Sequence, residues 1–216
     1  MPLPYWLFAV TLFLSSFLLF QIQPLIGKHI VPWLGGSSTI WITALLFFMV
    51  ALSAGYFYAL WLTRLPGRWQ KSIHLVLITL VVATLSAHSA SWPSAITPAG
   101  ADVGIDLTHP VWTVFTLLGL SVGLPFFLLS STSTLFQWWY ARLSGREPFS
   151  LYAVSNAGSF CGLLSYPFFF EPYFSTIEQG YWWTVGLAVY GVLLIVIVHR
   201  TLGTQKRVTV APVVIH

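Results

Sequence analysis

Long apolar runs, each broken by a short polar or turn-forming patch, set the rhythm of this chain. A membrane-crossing helix needs about 20 mostly apolar residues. Six stretches match or approach that length: about 5–26, 39–62, 73–87, 111–140, 149–170 and 181–198. The runs are continuous and do not alternate apolar with polar, so they predict helices and not the strands of a barrel. Pro24 removes a backbone donor in the last turn of the first run and predicts a bend there, and Pro125 predicts another in the fourth. Ser37, Ser38 and Thr39, ahead of the second run, are N-cap residue types. The stretch from His88 to Pro110, rich in Pro, Gly, Ser and Ala, reads as a loop. Residues 200–216 read as a tail, first basic and then apolar and β-branched, extended or mobile. The fold class that follows is all-α integral membrane, with six transmembrane helices.

Composition agrees. Of 216 residues, 6% are charged and 57% hydrophobic, with a mean hydropathy of +0.82. A soluble domain carries about a quarter charged residues, so this chain cannot cover a water-facing surface. The net charge of +4 is a topology signal. With six spans, Arg64, Arg68, Lys71, Arg142, Arg146, Arg200, Lys206 and Arg207 fall on one side, which the positive-inside rule makes cytoplasmic, with both termini there. Asp102, Asp106, Glu171 and Glu178 fall on the other, and only Glu147 lies inside. The tryptophans sort to helix ends: Trp6, Trp61, Trp69, Trp138 and Trp139 inside, Trp33, Trp41, Trp92, Trp112, Trp182 and Trp183 outside. Basic residues scattered at helix ends, without aromatic stacking surfaces between them, argue against nucleic acid. The single cysteine, Cys161, excludes an internal disulfide and gives no metal-ligand spacing. The first run lacks a positive n-region and a small-residue cleavage site, so it reads as a retained helix.

Two sets of three helices are visible: runs one and four are long and contain proline, and runs two and five are rich in small residues. An odd number of spans per unit makes such units inverted, the arrangement within half of a major-facilitator bundle. The fifth run carries Ala153, Ala157, Cys161 and Ser165 at four-residue spacing, with Gly158 and Gly162 beside them. The fourth carries Gly119 and Gly123. Small residues so spaced let helix backbones approach closely in lipid, within the chain or against a partner. Lys28, alone among the basic residues on the outer side, can pair with Glu171 or reach the headgroups by itself. Gln21, Gln23, Gln137, Asn156 and the run from Ser130 to Thr134 are polar groups within spans; they can line a cavity or bond helix to helix. No Asp, Glu or Arg lies in the middle of a span, which argues against an autonomous ion-coupled pump. His29, His88 and His109 map to the outer side and are candidates for a metal, haem or pigment, although interfacial polar roles explain them as well. His74 and His199 read as interfacial on the inner side. No catalytic constellation appears: Gly35-Gly36-Ser37 follows no strand, and no nucleophile elbow or carboxylate pair is present, so no enzyme activity is expected.

Two stretches carry a family resemblance. One runs from Phe20-Gln-Ile-Gln-Pro-Leu-Ile-Gly-Lys-His through Trp41 to Leu60. The other runs from Gly123-Leu-Pro-Phe-Phe through Pro148-Phe-Ser-Leu-Tyr-Ala-Val-Ser-Asn-Ala-Gly to Glu171-Pro172. Both resemble the N-terminal membrane region of bacterial fused major facilitator/spermidine synthase proteins, over most of residues 15–180. The resemblance implies a bacterial inner membrane. In that family a further membrane region and an aminopropyltransferase-like domain follow. The Gly-rich nucleoside loop and acidic residues of the synthase have no counterpart in this sequence, so its activity is not carried over. Three functional expectations result. The chain is a non-catalytic membrane subunit packing against other subunits of a larger complex. Alternatively it is a half-transporter acting as a homodimer, with a polyamine-like substrate by family analogy. A third reading is a pigment- or haem-binding subunit; no cofactor is otherwise predicted. The lipid bilayer is a partner in all three.

Overall fold

The computed structural model describes residues 5–98 and 108–202. Among them the chain forms helices α1 (Tyr5–Leu34), α2 (Ser38–Thr63), α3 (Gly67–Ser91), α4 (Pro110–Leu118), α5 (Leu124–Ser144), α6 (Phe149–Ser165), α7 (Glu171–Tyr173) and α8 (Thr176–Leu202). Two π turns, Gly119–Gly123 and Tyr166–Phe170, join α4 to α5 and α6 to α7 without a break, so the described residues make six rods. Five rods are long and apolar enough to cross a membrane: Tyr5–Leu34, Ser38–Thr63, Gly67–Ser91, Pro110–Ser144 and Thr176–Thr201. The sixth has 17 residues in α6, about 26 Å at 1.5 Å per residue, and gains length only through its π turn and α7. Asp102, Asp106 and the tail beyond residue 202 lie outside the described residues.

The rods outrun the apolar runs that announce them. The first was expected to end near residue 26, yet α1 passes through Pro24 and Pro32 to Leu34. Buried Leu25, Ile26 and Ile30 hold the segment against the bundle, which outweighs the missing proline donors. Gly35 then stops the helix at φ 78°, its N–H on the carbonyl of Val31 at 2.9 Å. Helix α3 starts six residues earlier than expected because its first turns are also buried, through Gln70 and His74. Helix α8 starts at Thr176 on a reciprocal cap. The Ser175 N–H donates to Glu178 Oε2 at 2.8 Å, and the Glu178 N–H to Ser175 Oγ at 3.4 Å. At Pro125 the expected disturbance takes the form of the π turn just before it, a wider turn that accommodates the missing hydrogen bond.

Helix α1 is the hub, packing on α6, α8 and α5; α2 packs on α5 and α4, and α3 on α8 and α5. At the α1–α6 crossing a Cβ on Gly158 would lie 2.5 Å from the Phe13 carbonyl oxygen, and one on Gly162 2.5 Å from that of Phe17. Paired glycines against paired carbonyls, four residues apart on each helix, let the backbones touch. The neighbouring stripe behaves differently: Ala153, Ala157 and Cys161 face outward, so the packing read for Ala157 inside the chain is supplied by Gly158 and Gly162. Gly119 and Gly123 meet no helix backbone closely; their open sides face the Phe47 ring, 4.0 and 3.6 Å from a Cβ built on each.

Polar side chains pin the rods internally. Trp139 Nε1–H donates to Gln70 Oε1 at 2.8 Å, and Gln70 Nε2 donates to the Leu65 carbonyl at 2.7 Å. Trp183 Nε1–H donates to the Leu18 carbonyl at 3.0 Å, and Ser15 Oγ to that of Leu129 at 3.2 Å. His74, expected at an interface, is fully buried instead, with Nδ1 3.0 Å from the Tyr58 hydroxyl and its ring edge-on to Trp139.

Candidate functional site: an uncharged polar cavity

Two helices repeat one polar register. On α5, Ser130, Ser133, Thr134 and Gln137 stand at i, i+3, i+4 and i+7; on α6, Tyr152, Ser155, Asn156 and Ser159 do the same. That spacing puts each set on one helix face. The faces converge on a cavity of about 660 Å³, completed by Ser16, Leu19 and Phe20 of α1 and by Tyr56 of α2. The volume falls within the range of small-molecule sites, about 300–1,000 Å³. No Asp, Glu, Lys, Arg or His lines it.

The hydroxyls form a connected lining. Gln137 Nε2 donates to Ser133 Oγ at 3.1 Å, Ser133 Oγ stands 3.5 Å from Ser155 Oγ, and Ser155 Oγ is 2.8 Å from Ser16 Oγ. Ser130 and Ser159 donate to backbone carbonyls, those of Phe127 at 2.9 Å and Ser155 at 3.1 Å. A hydroxyl whose proton is so engaged still offers lone pairs. Arg142 approaches from outside the lining, its guanidinium carbon 5.1 Å from the centre of the Trp138 ring. The cavity is open to the outside, and α2 and α6, which both border it, share almost no contact with each other.

The four polar residues read as cavity-lining or helix-to-helix groups are divided. Gln137 and Asn156 share the cavity just described. Gln23 borders a second hollow of about 870 Å³ with Lys28, Glu171, Trp41 and Tyr166. Gln21 is buried beside a third, of about 390 Å³, among Phe17, Phe169, Phe170, Phe174 and Trp182. The structure brings Lys28 and Glu171 together, Nζ to Oε1 at 3.0 Å, with the side chains 42% and 46% exposed. The outer histidines are engaged separately. His29 Nε2 is 3.2 Å from the Pro98 carbonyl, His88 Nδ1 is 3.2 Å from that of Ala95 while its ring stacks on Trp92, and His109 Nδ1 is 2.9 Å from Thr108 Oγ1. Among the described residues no three His, Cys, Asp or Glu side chains come together as a metal site would require. Sequence reasoning passed over Ser16, Tyr56, Tyr152, Ser155 and Ser159. The i, i+3, i+4, i+7 polar register on an otherwise apolar helix was the signal that could have found the last three.

Among the described residues, fold and site together define a helical bundle, five of whose rods are long and apolar enough to cross a membrane, with an uncharged polar cavity. Comparison of the chain with protein families, with curated proteins and with solved structures finds no match.

Proposed function

We propose that the chain is a non-catalytic membrane unit that packs against a second helical bundle across the opening between α2 and α6, within a larger membrane assembly. The observation that carries this reading is the unsealed cavity: four rods line a polar chamber that is open to the outside, and two of them, α2 and α6, do not pack together. Polar groups at membrane depth are tolerated where protein or water covers them, not lipid, and a second bundle supplies that cover. The resemblance to the membrane region of fused major facilitator/spermidine synthase proteins points the same way, since a further membrane region follows there.

The packing pattern favours the half-transporter form of this assembly. Exchanging the first three rods for the last three turns the α1–α6 pair into the α4/α5–α2 pair and leaves the α3–α8 pair in place. That exchange is the relation expected of two inverted three-helix units within half of a major-facilitator bundle, where one half rocks against another around a shared site.

The test uses a cysteine at the mouth of the cavity. In a Cys161→Ser background, Asn156→Cys is crosslinked in native membranes, then extracted gently and weighed by native mass spectrometry. The expected product is a stoichiometric adduct with a second multi-helix protein or a second copy. A chain that runs alone, with position 156 uncrosslinked, overturns the reading.

A further inference from the structure

We infer that the cavity is a binding site for a neutral, polyhydroxylated solute, of the size and chemistry of a sugar or cyclitol. The inference rests on the proposal above only in that a second bundle closes the site; its ligand chemistry is written in this chain's own residues.

Charge decides the class first. A solute carrying a full charge, placed at membrane depth, needs a counter-charge to replace lost hydration. The lining contains no carboxylate for a cation and no lysine, arginine or histidine for an anion. Of the aromatic rings in the lining, Trp138 is already covered by the Arg142 guanidinium. A second cation there meets a like charge. The polyamine suggested by family analogy is therefore the wrong electrostatic partner for this cavity.

Hydrogen bonding decides it next. Ser130 and Ser159 spend their protons on backbone carbonyls, and Gln137 spends an amide proton on Ser133. What the serines turn to the cavity is acceptor capacity in their lone pairs, while Gln137 keeps its carbonyl oxygen and one amide proton. The Asn156 amide and the Tyr152 hydroxyl add groups that both donate and accept. Such a wall suits a solute with several hydroxyls, each donating once and accepting once. It suits an apolar solute poorly, because the lone pairs turned to the cavity would then lose water without gaining a donor. Phe20, Tyr56 and Tyr152 supply ring surface for the C–H faces of a cyclic polyol.

The experiment measures equilibrium binding to the full chain, kept in the form in which it is gently extracted. The probes are glucose and myo-inositol (neutral polyols), spermidine (a cation) and citrate (an anion). Saturable binding of a polyol is expected, at least tenfold tighter than either charged probe. It should weaken at least tenfold in Ser133→Ala/Gln137→Leu and stay unchanged in Gln23→Ala, which lies outside the cavity. If the double variant misfolds, protection decides instead: the polyol, but not spermidine, should slow labelling of Leu19→Cys, a lining position with no hydrogen-bonding role, by a water-soluble thiol reagent in a Cys161→Ser background. Preferential binding of spermidine or citrate overturns the inference, as does binding of none of the probes. The crosslinking assay is read separately. An assembly that pairs but prefers spermidine sinks only the ligand class, whereas polyol binding by a chain that never pairs sinks only the two-bundle reading.

Discussion

Replacing Gly158 with alanine tests whether the α1–α6 crossing depends on backbone contact. The new Cβ would stand 2.5 Å from the Phe13 carbonyl oxygen and 3.2 Å from its carbonyl carbon and Cα, where ordinary contact begins at 3.4 Å. Backbone cannot swing aside as a long side chain can, so the helices must part by about 0.9 Å at that level, the shortfall between those distances. A gap of about 0.5–1 Å forfeits a quarter to a half of each dispersion contact, and overpacking of this kind costs about 1–3 kcal/mol. Alanine returns up to about 1 kcal/mol through its higher helix propensity. The net expectation is a loss of about 1–2 kcal/mol. Gly191 of α8 is the matched control, because a Cβ there meets nothing within 4 Å. Gly191→Ala should be neutral or stabilising by under about 1 kcal/mol. Reversible unfolding in mixed micelles compares the two. Equal stability of the two variants would refute the idea that Gly158 sets the distance between α1 and α6.

Three further outcomes are expected. Trp139→Phe removes the donor to Gln70 and leaves a buried amide oxygen unpaired, so it should cost about 1–3 kcal/mol in the same unfolding assay, and Gln70→Leu in that background should recover part of the loss. A double-mutant cycle on Lys28→Ala and Glu171→Ala should give a coupling below about 1 kcal/mol that shrinks further in high salt, because both side chains are nearly half exposed. Gly55→Ala, whose Cβ would fall 1.8 Å from Ser130 Oγ and 3.1 Å from the Phe127 carbonyl oxygen, should rotate Ser130, spread α2 from α5 and lower the unfolding midpoint, whereas Gly36→Ala, with nothing within 4 Å, should not.

The rods were legible because each needs an apolar run of fixed length, and their number survives errors at the ends. The ends were not legible where burial overruled local signals, as where α1 continues past Pro24 and where Gln70 and His74 draw the start of α3 inward. Rotational phase was the harder problem. In a soluble helix the polar face announces which side is out, but lipid and protein interior are equally apolar. The Ala153/Ala157/Cys161 stripe and the Gly158/Gly162 pair therefore looked alike on paper, although they point in different directions. The same ambiguity hid the cavity: Gln137, Asn156 and the Ser130–Thr134 run stood out as polar, while Gln21 and Gln23, equally polar, turned to other hollows.

The close crossing of α1 on α6 also dictates an order of events during synthesis. Phe13 and Gly158 are about 145 residues apart, and at roughly 5–20 residues per second a ribosome takes on the order of ten seconds to travel between them. For that interval the first rod is without its closest neighbour, and Ser16 is without Ser155. The nascent chain must hold its earliest helix in reserve, its α6-facing side uncovered, until the fifth rod arrives. Changes that leave the finished bundle intact but delay that arrival should therefore lower yield without lowering stability.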